Sequence, residues 1–159
     1  MNYENASQLS FQDSYTVPAE QTARALFARL PHGCGYAERM IECMATGYLV
    51  AVIESVCIAQ LQEHVHPADE VVVGQRIHIE HRRPMPPGAR ITLRGWVCAL
   101  GERSVTFRVD AHDAQELVCE AIVTLAALPR HVMDSRIDAK RALVLEVSDC
   151  AETADPEQS

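Results

Sequence analysis

From residue 71 onward the chain alternates apolar and polar side chains; just before that it does not. Val71, Val73, Ile77, Ile79 and His81 share one parity, and Val72, Gly74, Arg76, His78, Glu80 and Arg82 share the other. A period of two marks a half-buried strand, so the pattern predicts a strand from Val71 to Arg83. Three more strands follow. Arg90 to Leu100 places Ile91, Leu93, Val97 and Ala99 on one face, and Arg103 to His112 places Val105, Phe107, Val109 and Ala111 inward. Glu116 to Leu128 carries Leu117, Cys119, Ala121, Val123 and Leu125, and Pro129 ends it. Pro84-Met85-Pro86-Pro87-Gly88, Gly101-Glu102 and Asp113-Ala114-Gln115 supply the turns between them.

Ahead of the strands, roughly Thr46 to His64 reads as one long helix, apolar on nearly every face and stopped by Pro67. Thr46 suits the N-cap, where its hydroxyl accepts from a free N–H of the first turn. Glu54 is the only charged residue between Ala45 and Leu61. A carboxylate in such a setting is costly unless paired, hydrogen-bonded or protonated, which makes it a candidate for chemistry. Further upstream, Ser14 to Val17 reads as a short strand and Ala19 to Leu30 as a short helix. Pro31-His32-Gly33-Cys34-Gly35 then breaks the chain, as a flap or as an ordinary connection.

An antiparallel meander must cover one face, and only one long apolar helix is available to do it. The expected fold is therefore α+β, a curved antiparallel sheet around a central helix. The expected boundaries are a flexible segment over 1–13, the domain over 14–130, and a C-terminal extension over 131–159. The extension is helix-like from Ile137 to Val147 and disordered from Ala151 on.

At 159 residues one domain with a substantial core is expected. The net charge of −8 argues against nucleic-acid or anionic-membrane partners. Arg76, Arg82, Arg83 and Arg90 lie close in sequence, where they either solvate strand ends or contact a phosphorylated ligand. The six cysteines show no C-x-x-C pair, and no His follows at zinc-site spacing, so they read as small buried hydrophobes and no metal is expected. The first residues lack a basic and apolar leader pattern, and the helix around Glu54 is too short and interrupted to span a bilayer, so a reduced cytoplasmic protein is expected.

Among the titratable residues, His81 sits on the apolar parity of its strand, facing the helix, either as a satisfied core histidine or as a base near neutrality. His78 and His112 fall on the opposite parity and read as surface residues, and His64 and His66 read as solvated at the helix end. Thr46 and Glu54 are eight residues apart, about 12 Å along one helix and about 80° around it, so they do not touch within one regular helix.

The ordered motifs resemble those of the hotdog thioesterases similar to fluoroacetyl-CoA thioesterase. Thr46-Gly47-Tyr48-Leu49-Val50 followed by Glu54 is similar to that family's Thr-x-x-x-Val-x-x-x-Glu helix. Ile77-His78-Ile79-Glu80-His81 before Pro86-Pro87-Gly88 resembles its strand ending in a catalytic His, and Phe107 to Asp113 resembles its penultimate strand. The chain departs from relatives in the last strand, where Glu120-Ala121-Ile122-Val123 stands in place of a His-x-Arg-like group. The resemblance implies a hotdog fold and hydrolysis of a small or medium acyl thioester. It implies Thr46, Glu54 and His81 as catalytic residues: His81 as base or acid, Glu54 as nucleophile or water-orienting carboxylate, and Thr46 on the carbonyl side. Gly47, Tyr48, Tyr36, Phe27 and Arg83 are the expected substrate contacts. No cofactor is expected beyond the coenzyme A of the substrate itself, and a homodimer with acyl-CoA at the interface is implied. The alternatives are a non-catalytic hotdog that binds acyl-CoA or another small ligand and, with no paired Asp/His motif in its favour, a hydratase.

Overall fold

The structure, a computed structural model, describes residues 3–62 and 69–152, with side-chain surroundings for 6–62 and 69–144. The expectations for His64, His66 and Pro67 lie outside the described residues. Five antiparallel strands, β1 (Ser10–Thr16), β2 (Glu70–His81), β3 (Arg90–Leu100), β4 (Ser104–His112) and β5 (Leu117–Pro129), form one sheet in the order β1-β3-β4-β5-β2. Strands β1 and β2 are its two edges. The helices are α1 (Ala23–Phe27), α2 (Thr46–Gln62) and α3 (Arg130–Glu152).

The period-two residues are the core. Val105, Phe107, Val109 and Ala111 of β4 and Cys119, Ala121, Val123 and Leu125 of β5 are buried, and Ile91 and Leu93 of β3 join them. Helix α2 lays Leu49, Ile53, Cys57 and Leu61 on this face, one residue per turn. Successive turns four residues apart stack on one side of a helix, which makes this a single stripe. The opposite stripe, Ala51, Ser55 and Ala59, is exposed. The sheet of one chain thus covers only one side of α2, although the sequence is apolar on nearly all sides.

Strand β2 departs from its predicted alternation. Its register to β5 slips between Gly74 and Arg76, leaving Gln75 unpaired. A bulge of this kind reverses the parity of the residues that precede it. Ile77, Ile79 and His81 lie opposite Val123, Ala121 and Cys119 on the helix-facing side, as expected. Before the bulge that side carries Val72, which is buried, and Gly74, rather than Val71 and Val73.

The N-terminal boundary also moves. A 3-10 turn occupies Tyr3–Gln8, Ala6 is buried, and β1 begins at Ser10 rather than Ser14. Phe11 explains the earlier start. Its ring lies over Gly95 of the paired strand, where a Cβ would stand 2.3 Å from it, and its centroid is 6.1 Å from that of Phe107. The glycine lets an edge-strand aromatic reach the core. The predicted helix over Ala19 to Leu30 is a 3-10 turn at Ala19–Gln21 followed by α1, whose N-cap is Thr22 with its hydroxyl accepting from Ala25 N–H at 3.2 Å. At the other end α3 runs on from β5 without a break, starting well before Ile137 and reaching Glu152.

Candidate active site

The polypeptide around α1 is pinned against the start of α2 by backbone hydrogen bonds. Ala23 N–H donates to Cys43 C=O at 2.8 Å, Ala45 N–H to Gln21 C=O at 2.9 Å, and Met44 N–H to Met85 C=O at 2.8 Å. These bonds bring α1, the segment before α2, and the turn after β2 to one place. The cavity they enclose is about 710 Å³ and is mostly apolar, with Leu26, Phe27, Met40, Ile41 and Met44 in its wall. Thr46, Gly47, His81, Arg82, Arg83 and Pro84 line it as well.

In the cavity wall Thr46 Oγ1 and His81 Nδ1 are 3.0 Å apart. The Thr46 hydroxyl therefore meets the imidazole rather than capping its own helix; Leu49 N–H is instead taken by Ala45 C=O at 3.0 Å. If Thr46 donates, Nε2 carries the ring hydrogen; if Nδ1 donates, Nε2 is left with a lone pair. Nε2 is enclosed and has no hydrogen-bond partner among the described residues. Burial pushes the His81 pKa below its ordinary 6.5, with the Arg83 backbone pulling weakly the other way. Desolvation disfavours the charged imidazolium, so the ring is neutral at pH 7. Thr46 is the first residue of α2, so the pair stands at the positive end of the helix dipole.

Glu54 is not part of this cluster. It stands two turns further along α2, about 12 Å up the axis. Its carboxylate lies against Gly74, where a Cβ would sit only 1.8 Å from Oε1. The bulge that turns Gly74 toward the helix thus makes the space that Glu54 fills. The residue is half-exposed, on the side of α2 that overlooks the free edge of β2.

The predicted substrate contacts divide. Phe27, Gly47 and Arg83 line the cavity. Tyr48 is partly buried and packs on the core, and Tyr36 is 44% exposed, tilted against Phe27 with ring centroids 6.0 Å apart. Arg83 is held by Glu116 at 2.6 Å. Arg82 is drawn to the outer face of the sheet, where it pairs with Glu80 at 2.6 Å and with Glu120. Glu120 also takes Arg108 at 2.6 Å, so it serves an ion-pair network on the outer face. His112 is half-buried with Nδ1 enclosed, and so is not the plain surface residue its parity suggested. The Met40–Met44 wall had no periodic signal in the sequence; only its backbone pairing places it.

Two buried thiols are held in the protonated form. Burial, reinforced by the Glu54 carboxylate, pushes Cys57 up to about 12, and burial with Glu120 nearby does the same for Cys119, the ladder partner of His81. Among the described residues, no three His, Cys, Asp or Glu side chains gather as a metal site, and no helix is long and apolar enough to cross a membrane.

A family model described as fluoroacetyl-CoA-specific thioesterase matches residues 32–131. A fluoroacetyl-CoA thioesterase from Streptantibioticus cattleyicolor is 30% identical over 103 residues, covering 65% of this chain and 70% of that protein. A mutant of the fluoroacetyl-CoA-specific thioesterase FlK, solved in complex with fluoroacetate and CoA, superposes with a TM-score of 0.71 at 25% identity, over 79% of this chain and 97% of that one. A hot-dog-like protein from Thermanaerovibrio acidaminovorans shares the fold, with a TM-score of 0.72 at 15% identity over 88% and 97% of the two chains.

Proposed function

The chain belongs to the fluoroacetyl-CoA-specific thioesterase family, whose activity is the hydrolysis of acyl-CoA thioesters, and from that premise we propose how its residues divide the work. The observation that carries the reading is the 3.0 Å contact between Thr46 and His81 in the wall of an apolar cavity. In this reading the hydrogen bond to Thr46 fixes the His81 ring, and the neutral imidazole is the base. The thioester carbonyl sits at the start of α2, where the free N–H groups stabilise the developing oxyanion. The acyl chain lies among Leu26, Phe27, Met40 and Met44, and Arg83 meets a phosphate of coenzyme A. Water adds to the carbonyl, His81 takes its proton, and the same proton leaves with the thiolate as free thiol. No cofactor is needed. Five described cysteines are free thiols, which supports a reducing cytoplasmic setting.

Glu54 enters from a second copy. Strand β2 is an uncovered edge, and the Ala51, Ser55 and Ala59 face of α2 is exposed beside it. If two β2 edges pair antiparallel about a two-fold axis, Gly74 of one chain faces His81 of the other when the axis passes through His78 and Gln75 stays out of the ladder. Glu54, packed on Gly74, then stands beside the Thr46–His81 pair of its partner, where it holds the attacking water or itself attacks the carbonyl.

Mixing two inactive variants tests this. Glu54→Gln and His81→Ala chains are each expected to be inactive on an acyl-CoA panel read by mass spectrometry. Co-refolded in equal amounts, they are expected to regain about a quarter of wild-type activity, because half of the dimers carry one intact composite site. No recovery, with mixed dimers demonstrated, would place Glu54 in its own chain's site or in none. Acyl-CoA bound and returned intact by the wild type would instead favour a ligand-binding role.

A further inference from the structure

The cavity that Thr46 and His81 line is far larger than a two-carbon acyl group. Three heavy atoms, each taking about the 30 Å³ share of a water molecule, fill roughly 90 Å³. The cavity measures about 710 Å³. An eight-carbon acyl group fills roughly 270 Å³ on the same scale, and space remains for the inner part of the thiol arm. The wall is also apolar and adaptable. Leu26, Phe27 and Met40 are only half-buried, so apolar surface stands open to a ligand. Met40 and Met44 carry unbranched thioethers that adjust to the shape of a bound chain.

The polar side chains around this wall are already engaged. Arg82 holds Glu80 and Glu120, and Arg83 holds Glu116. Arg24, the neighbour of Ala23 in α1, is bonded to Glu42 at 2.7 Å and to Met40 C=O at 3.3 Å. Thr46 and His81 hold each other. A hydroxyl or carboxylate on an acyl tail lying along Leu26, Phe27 and Met40 would lose its water without gaining a partner, which is costly for the first and more so for the second.

Gly47, the residue after Thr46, also lines the cavity. A Cβ built on it meets Leu26 Cδ2 at 3.5 Å, an ordinary contact, so a longer side chain must enter the cavity or displace Leu26.

We propose that the substrates of this site are unsubstituted apolar acyl thioesters of medium length, about six to ten carbons, and that Gly47 keeps open the space their tails fill. This deepens the thioesterase reading of the Thr46–His81 site and rests on it.

The test compares acetyl-, butyryl-, octanoyl- and succinyl-CoA by kcat/KM on the full-length protein. Each buried methylene is worth about fourfold. Octanoyl-CoA is therefore expected to exceed acetyl-CoA by at least about a hundredfold, and succinyl-CoA to fall at least about tenfold below butyryl-CoA. Leucine is a good helix former, so Gly47→Leu should keep the start of α2. In that variant the octanoyl-to-butyryl ratio is expected to fall at least about tenfold, a ratio that a general loss of folded enzyme leaves unmoved. A flat or inverted length series, succinyl-CoA turned over as fast as butyryl-CoA, or an unchanged ratio in Gly47→Leu would overturn the proposal. If no thioester is hydrolysed, the catalytic reading fails by itself. The length class is then read by calorimetry with the hydrolysis-resistant thioethers S-ethyl-CoA and S-octyl-CoA. S-octyl-CoA is expected to bind at least about tenfold tighter, and equal affinities would overturn the proposal.

Discussion

The two ends of the chemistry on α2 are built differently. At its N-terminus, Thr46 and His81 meet within one chain, held by backbone bonds from α1, from the segment before the helix and from the turn after β2. Two turns later Glu54 has a fitted space over Gly74 but no catalytic neighbour, and it faces an unpaired strand edge. The first half of the site is closed by the chain's own fold. The second is prepared by it and, in the function proposed above, completed by a second copy. A helix whose stripe of Leu49, Ile53, Cys57 and Leu61 is covered while Ala51, Ser55 and Ala59 are bare has the same asymmetry along its whole length.

Removing the closed half should have the largest effect. His81→Ala is expected to lower kcat by on the order of 10²–10⁴, the usual contribution of a positioned base, with the circular dichroism spectrum unchanged. Wild-type turnover in this variant would show that the Thr46–His81 contact is structural.

Disturbing the prepared half should cost less. Gly74→Val puts a Cβ where Glu54 Oε1 now lies, 1.8 Å away, so the carboxylate must swing out. Valine suits a strand, so the sheet should survive. A kcat loss on the order of 10² is expected from misplacing one group, with the His81 titration by NMR unmoved. An unchanged kcat would sink the role given to Glu54; a shifted His81 titration would mean that the two halves are not separable.

The smallest effect is on pH dependence. In the proposed reaction His81 serves as a base only when neutral, and burial holds its native pKa below 6.5. The acid limb of kcat/KM should therefore fall below pH 6.5, with activity lost as pH drops through the native value. The same shift means that the unfolded chain binds more protons than the native one in this window. Its contribution to stability is present above pH 6.5 and is lost as pH falls through the lower native value. An acid limb at or above 6.5 in the wild type would contradict a desolvated His81.

Much of this was legible from the residues. The four long strands, their turns and the apolar helix follow from period and punctuation. β3 runs over Arg90–Leu100 as its alternation indicates, and β4 and β5 shift by only a residue at their ends. His81 was assigned inward from parity alone, and the eight-residue spacing already kept Glu54 away from Thr46 in one chain. Three features escaped. The bulge at Gln75 has no mark in a pattern whose Val71, Val72 and Val73 are apolar on both parities, so the inward face of early β2 was misassigned. β1 begins earlier because Phe11 packs over Gly95, a partner more than eighty residues away. The cavity wall from Met40 to Met44 is irregular backbone with no period to read.

What the sequence determined by itself is whatever depends on near neighbours: alternation, helix length, turn chemistry, and the presence of one carboxylate in an apolar run. Such features are local because backbone geometry repeats over two or about four residues. Only the tertiary structure decided which distant residues meet. It turned the Thr46 hydroxyl from its own helix to His81, opened Gly74 to receive Glu54, and left β2 at the edge of the described sheet. Those outcomes depend on strand register and on which surfaces one chain has enough apolar area to cover, and neither is written in any short stretch of residues.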